Sequence, residues 1–135
     1  MIASAEEFIR LRNSDAPEDY LRAAGEAASV DVWMDVLARF PEMKEWVVHN
    51  KTVPLEVLGI LAVDDAVAVR ATVADKRKLN ADLFDLLAGD SDELVRQRVA
   101  CNRKAPVHVL QRLSKDPSPF VRRVAEQRLK QAAGE

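Results

Sequence analysis

Three stretches of this chain recur at a fixed interval of 26 residues, and that interval constrains the fold more than any other feature. Leu61-Ala62-Val63-Asp64, Leu87-Ala88-Gly89-Asp90 and Leu113-Ser114-Lys115-Asp116 stand in register. Val69-Arg70, Val95-Arg96 and Val121-Arg122 follow at the same offset, then Val73-Ala74 and Val99-Ala100, with Leu58, Phe84 and Leu110 matched upstream. Leu, Asp, Val and Arg are identical in all three copies, against roughly one matching column expected by chance from average composition. A degraded copy runs from Trp33 to Asn50; there the stretch Leu37 to Lys44 is two residues shorter, and Lys44 stands where the Arg stands. Residues 4–12 and 17–27 give one more helical pair, which makes about five units.

Each unit reads as two short helices. Val57, Leu58 and Leu61, then Leu83, Phe84 and Leu87, then Val109, Leu110 and Leu113 lie on one helix face, at spacings of one, three and four. Pro54 and Pro106 suit the first helical turn, and Asn50 and Asn102, just past the second helix, suit a left-handed closing residue. Helices of about ten residues with a narrow apolar stripe do not stand alone, so neighbouring pairs must stack. The expected fold is therefore all-α, an α-solenoid forming a single domain over residues 1–135. Residues 1–27 are expected as N-terminal capping helices, 28–129 as repeats with a C-terminal cap, and 130–135 as a frayed tail.

Composition agrees: only 5% of residues are aromatic and four are Gly, which disfavours β-sandwiches, Rossmann folds and phosphate loops. The single Cys101 excludes an internal disulfide or a cysteine-based zinc or iron–sulfur site within one chain, and suits a reducing compartment. MIASAEEFIR lacks a secretory pattern and no apolar run approaches the ~18 residues of a membrane span, so a cytoplasmic location is expected. The net charge of −2 conceals a split, with residues 1–65 carrying −7 and residues 66–135 carrying +5. Such asymmetry concerns partners, not fold.

The string Leu-Ala-x-Asp-x-x-x-x-Val-Arg-x-x-Val-Ala, continued by Asn-x-x-x-Pro-x-x-x-Leu-x-x-Leu, resembles the bacterial leucine-rich repeat variant. Its Asp and Arg six residues apart, at Asp64/Arg70, Asp90/Arg96 and Asp116/Arg122, are also similar to the HEAT repeat. The resemblance covers roughly residues 30–129. It implies a right-handed superhelix that binds other macromolecules, usually proteins. The first described leucine-rich repeat variant protein is associated with an iron–sulfur cluster on a separate cysteine cluster, which one Cys cannot supply. Alkylpurine DNA glycosylases with HEAT-like solenoids resemble this chain only in fold.

Two readings of the repeated charges are open. Each Asp caps the following helix and pairs with an Arg of its own or the adjacent unit, giving a structural ladder; or Arg70, Arg96 and Arg122 form a row of guanidinium groups that face a ligand. Lys51, then Lys76, Arg77 and Lys78, then Arg103 and Lys104 fall at one turn of successive units, and Arg98 and Arg123 add charge on the second helices. This edge is either a solvated face or a docking strip for an acidic protein. Nucleic-acid phosphates, met by Arg70, Lys76, Arg77, Lys78, Arg96, Arg103, Lys104 and Arg122, are the alternative ligand. Phe84 and Phe120 read as core, as does Trp33. Trp46 falls at an otherwise polar position and is either a partly exposed anchor beside His49, Asn50 and Lys51 or a filler for the shortened segment. Cys101 reads as a small buried residue. His49 and His108 lie in units that are not neighbours, no nucleophile has a recognisable base, and neither cofactor nor catalysis is expected. The leading reading is a non-enzymatic protein-interaction module.

Overall fold

Runs of helix-forming residues broken by Pro, Asn, Ser and Asp give a wholly helical chain. The computed structural model describes residues 1–134, which contain ten α-helices, one 3-10 turn and no strand. No helix among them is long and apolar enough to cross a membrane. The helices gather into two compact units, Met1–Leu61 and Ala62–Glu135.

The first unit holds α1 (Ala5–Asn13), α2 (Pro17–Gly25), α3 (Val30–Arg39), the 3-10 turn Pro41–Met43, α4 (Lys44–His49) and α5 (Leu55–Leu61). Ser4 and Ser29 begin α1 and α3 by accepting hydrogen bonds from the backbone N–H groups of Glu7 and Val32, which satisfies donors that a helix start leaves unpaired. Phe8, Leu11, Trp33, Val36, Val47, Val48, Val57 and Leu58 form the core. The Phe8 and Trp33 rings meet edge-on with centroids 5.2 Å apart. Each large apolar side chain buried here contributes about 1.5–3 kcal/mol.

The second unit holds α6 (Val67–Ala74), α7 (Ala81–Ala88), α8 (Glu93–Cys101), α9 (Val107–Leu113) and α10 (Pro119–Gly134). Here α6 packs on α8 and α8 on α10, while α7 packs on α9, so alternate helices form two layers. Val69, Val73, Val95, Val99, Val121 and Ala125 of one layer meet Phe84, Leu87, Val109, Leu110 and Leu113 of the other in the core.

Several local expectations are corrected. Pro106 is not the first helical residue but the extended residue before α9; its carbonyl still accepts from Val109 and Leu110 N–H, and Pro54 does the same for Val57 and Leu58 ahead of α5. Asn50 and Asn102 are extended, with φ of −62° and −71°, and no described residue has a positive φ. Both are buried because their side chains have partners in the preceding helix pair. Phe120 and Cys101 are exposed, not core. Each follows its register: Phe120 matches the exposed Ala68 and Leu94, and Cys101 matches the exposed Asp75. The expected frayed tail is helical through Gly134, and Glu135 lies outside the described residues.

Candidate functional site

The repeated acid and base form a ladder with a definite direction. Arg70 donates from Nη1 to the carbonyl of Asp64 at 2.8 Å, and from Nε and Nη2 to the carboxylate of Asp90 at 2.8 and 3.2 Å. Arg96 repeats the arrangement with the Asp90 carbonyl at 2.8 Å and the Asp116 carboxylate at 2.9 and 3.4 Å. Each guanidinium therefore grips the backbone of its own unit and the side chain of the next. The Asp carboxylates also accept from the N–H two residues on, at Ala66, Asp92 and Ser118. The expected helix cap is thus corrected: each Asp shapes the turn leading into the second helix, and in α8 the residue Asp92 is itself the cap. The side chains of Arg70 and Arg96 are only 13% and 15% exposed, so both belong to the scaffold and not to a ligand-facing row. The hydrogen bonds it donates to Asp90 raise the Arg70 guanidinium above its already high pKa, so this rung stays charged.

Arg122 differs from its two counterparts. Its Nη1 donates to the carbonyls of Asp116 at 2.7 Å and Pro117 at 3.1 Å, but no carboxylate among the described residues meets its Nε and Nη2.

At the opposite end of α6 and α8, two basic turns are fastened together. The Asn102 amide donates to the carbonyls of Ala74 and Lys76, both at 2.8 Å, and its side-chain oxygen accepts from the Lys104 N–H at 2.9 Å. Twenty-six residues on, Arg128 donates to the Ala100 carbonyl. In the first unit, Asn50 likewise reaches the carbonyls of Ala23 and Glu26 at 2.8 and 2.9 Å. These staples set Arg103 and Lys104 beside Lys76, Arg77 and Lys78. Arg77 and Arg103 line a shallow groove of about 260 Å³ with Asp75, Cys101 and Asn102. Arg98 pairs with Asp75 across this groove's rim. Arg77, Arg103, Lys104 and Arg123 are exposed and form no ion pair among the described residues. Burial, and then the neighbouring Lys78 charge, lower the pKa of Lys76; burial lowers that of Lys78. Like charges thus crowd this edge, and an anion would relieve them.

In the first unit, Trp46 of α4 is 42% exposed. The Arg12 guanidinium of α1 lies 3.6 Å from its ring centroid and 5.3 Å from that of Tyr20 on α2, and the His49 ring stands edge-on at 6.0 Å. Cation–π contact of this kind holds a charged group against aromatic faces. Trp46 is therefore a surface residue held by a cation. Arg12 and Tyr20 carry no local sequence signal for this role, because three helices distant in sequence bring them together. Lys51 follows His49 by two residues, is exposed, and its N–H donates to the Ala24 carbonyl. His108 lies in the other unit, with Nε2 at 3.1 Å from Asp85. Among the described residues, no three His, Cys, Asp or Glu side chains converge as metal ligands.

No protein-family model matches the chain, and neither the curated proteins nor the solved structures return a match.

Proposed function

We propose that this chain is a non-enzymatic interaction module, a right-handed α-solenoid of the HEAT or leucine-rich repeat variant kind, that binds an acidic protein partner in a reducing, cytoplasmic setting. The fastening of the two basic turns by Asn102 carries this reading. It crowds Lys76, Arg77 and Lys78 against Arg103 and Lys104, while Arg77, Arg103 and Lys104 form no ion pair among the described residues. Turns whose backbone is already fastened lose little further freedom on binding, which favours association. Where the scaffold needs a guanidinium it pairs it, as at Arg70 and Arg96, so the unpaired set is left for a ligand. The groove lining includes no aromatic ring on which a nucleobase could stack, so protein carboxylates suit it better than single-stranded nucleic acid. The cluster of Trp46, Arg12, Tyr20 and His49 is a second contact of the aromatic type that concentrates binding energy.

Fluorescence anisotropy tests this with a labelled peptide of mixed Asp and Glu and, separately, a labelled DNA duplex, each at low and moderate salt. The peptide is expected to bind, to weaken with salt, and to lose at least about tenfold in affinity with an R77E/R103E/K104E variant. Unchanged affinity in that variant, or tighter binding of the duplex than of the peptide, would overturn the proposal.

A further inference from the structure

The chain contains the same guanidinium site three times, and two of the copies show what the third accepts. Arg70, Arg96 and Arg122 all direct Nη1 to the carbonyl six residues back, at 2.8, 2.8 and 2.7 Å, which fixes the plane and direction of each guanidinium. On Arg70 and Arg96 the opposite edge, Nε with Nη2, holds an aspartate carboxylate side-on. On Arg122 that edge has the same donors and no intramolecular acceptor among the described residues. We infer that Arg122 is a preformed carboxylate-binding site, and that its ligand is an aspartate side chain presented by a partner protein in a turn like those of Asp90 and Asp116.

Three observations favour a carboxylate. The fork is planar and anchored by two carbonyl bonds, to Asp116 and Pro117, so side-on binding requires little reorganisation. Arg122 sits in the first turn of α10, where the helix end is itself positive, so an added anion meets favourable charge from both. The nearest repeated acid, Asp116, is already committed to Arg96 and to the Ser118 N–H. An added repeat is a poorer fit than a single turn on a partner. The register positions at which α6 and α8 bury Ala71, Ala74 and Ala100 are filled on α10 by the exposed Arg123 and Glu126. These polar residues cap the apolar seam, and Arg122 itself is partly exposed. The site lies at the other end of the stacked helices from the basic turns and does not depend on them.

The test follows the Arg122 Nε–Hε resonance of the full chain by NMR while a blocked peptide, Lys-Asp-Pro-Ser-Pro-Phe, is added; it copies residues 115–120, whose Asp fills the Arg96 site. A saturable shift of the Arg122 signal is expected, with Arg70 and Arg96 unmoved. The peptide with Asn for Asp should bind at least about tenfold more weakly; so should Arg122→Lys, followed through the backbone amides of residues 116–122, because it keeps the charge but loses the fork. The R77E/R103E/K104E variant should bind this peptide like the wild type, separating failure of this site from failure of the basic turns. An Arg122 signal that stays still, or that moves equally with the Asn peptide, overturns the inference whether or not Arg122→Lys folds. Inorganic phosphate that shifts the signal at lower concentration than the Asp peptide also overturns it, by assigning the fork to phosphate.

Discussion

A single arginine in this repeat makes two different kinds of contact, and separating them predicts which residues are energetically coupled. Arg96 touches the backbone of Asp90 and the side chain of Asp116. A double-mutant cycle on Arg96 and Asp116 should therefore give a coupling of about 1.5–3 kcal/mol, as expected of a largely buried, charge-assisted pair. The same cycle on Arg96 and Asp90 should give nearly none, whereas Arg70 and Asp90 should couple strongly; chemical denaturation of the variants measures all three. Comparable coupling of Arg96 to both acids would contradict the direction of the ladder. The six-residue spacing makes an Asp–Arg pairing legible from sequence, but not which Asp each Arg takes. That choice depends on the Asp carboxylate being occupied by the N–H two residues on, which turns its own carbonyl, not its side chain, toward the following Arg. Register was a better guide than residue type elsewhere too. Phe120 and Cys101 look like core residues by chemistry, yet they stand at positions that the other copies fill with exposed Leu94, Ala68 or Asp75.

At the scale of elements, the staple positions matter more than their sequence suggests. An Asn after a helix ordinarily signals a left-handed turn, because that is a local preference. Here the amide answers a demand made elsewhere: the last carbonyls of a helix lack partners within it, and Asn102 satisfies that of Ala74, the last residue of α6, and that of Lys76 in the following turn, from 28 and 26 residues away. No window of sequence around Asn102 contains that demand. Asn102→Ala should cost about 1–3 kcal/mol by leaving buried carbonyls unpaired, with Asn102→Gly no better, because φ is negative at this position. Thermal and urea unfolding measure both, and a Gly variant clearly more stable than the Ala variant would contradict the staple role. The helices themselves were legible from the apolar spacing, as in Val109, Leu110 and Leu113, while their first residues were not. Pro106 shares the φ of a helical residue, and only its ψ of 155° puts it outside α9.

Across the whole molecule, the acidic character of the first half has a consequence in acid. Glu26 is held down to about 2 by hydrogen bonds from Arg22 and from the chain's amino terminus, and Arg39 lowers Asp35 and Glu6. Carboxyl groups depressed in the folded state contribute stability that is present above about pH 4.5 and is lost as the pH falls toward 2. Melting temperature should decline through that window. In Glu26→Gln the decline should be shallower, with the gap between the two proteins widest near neutrality and closing by pH 2. A constant gap at every pH would contradict the assignment. The charge split itself was plain from counting residues, but the division of the basic half into paired scaffold and unpaired surface was not, because it depends on which carboxylates lie within reach of which guanidinium groups.

The direction of the ladder also governs how such a chain can change length. Since Arg70 and Arg96 use the same atoms on equivalent partners, excising 26 residues between equivalent points would bring Arg70 against Asp116 with every donor and acceptor still matched. A loss or gain of another size keeps the rungs only where an exposed turn absorbs it, because each guanidinium must still meet its carboxylate. The rungs therefore make a whole 26-residue unit the change of length that leaves every part-buried charge pair as it was.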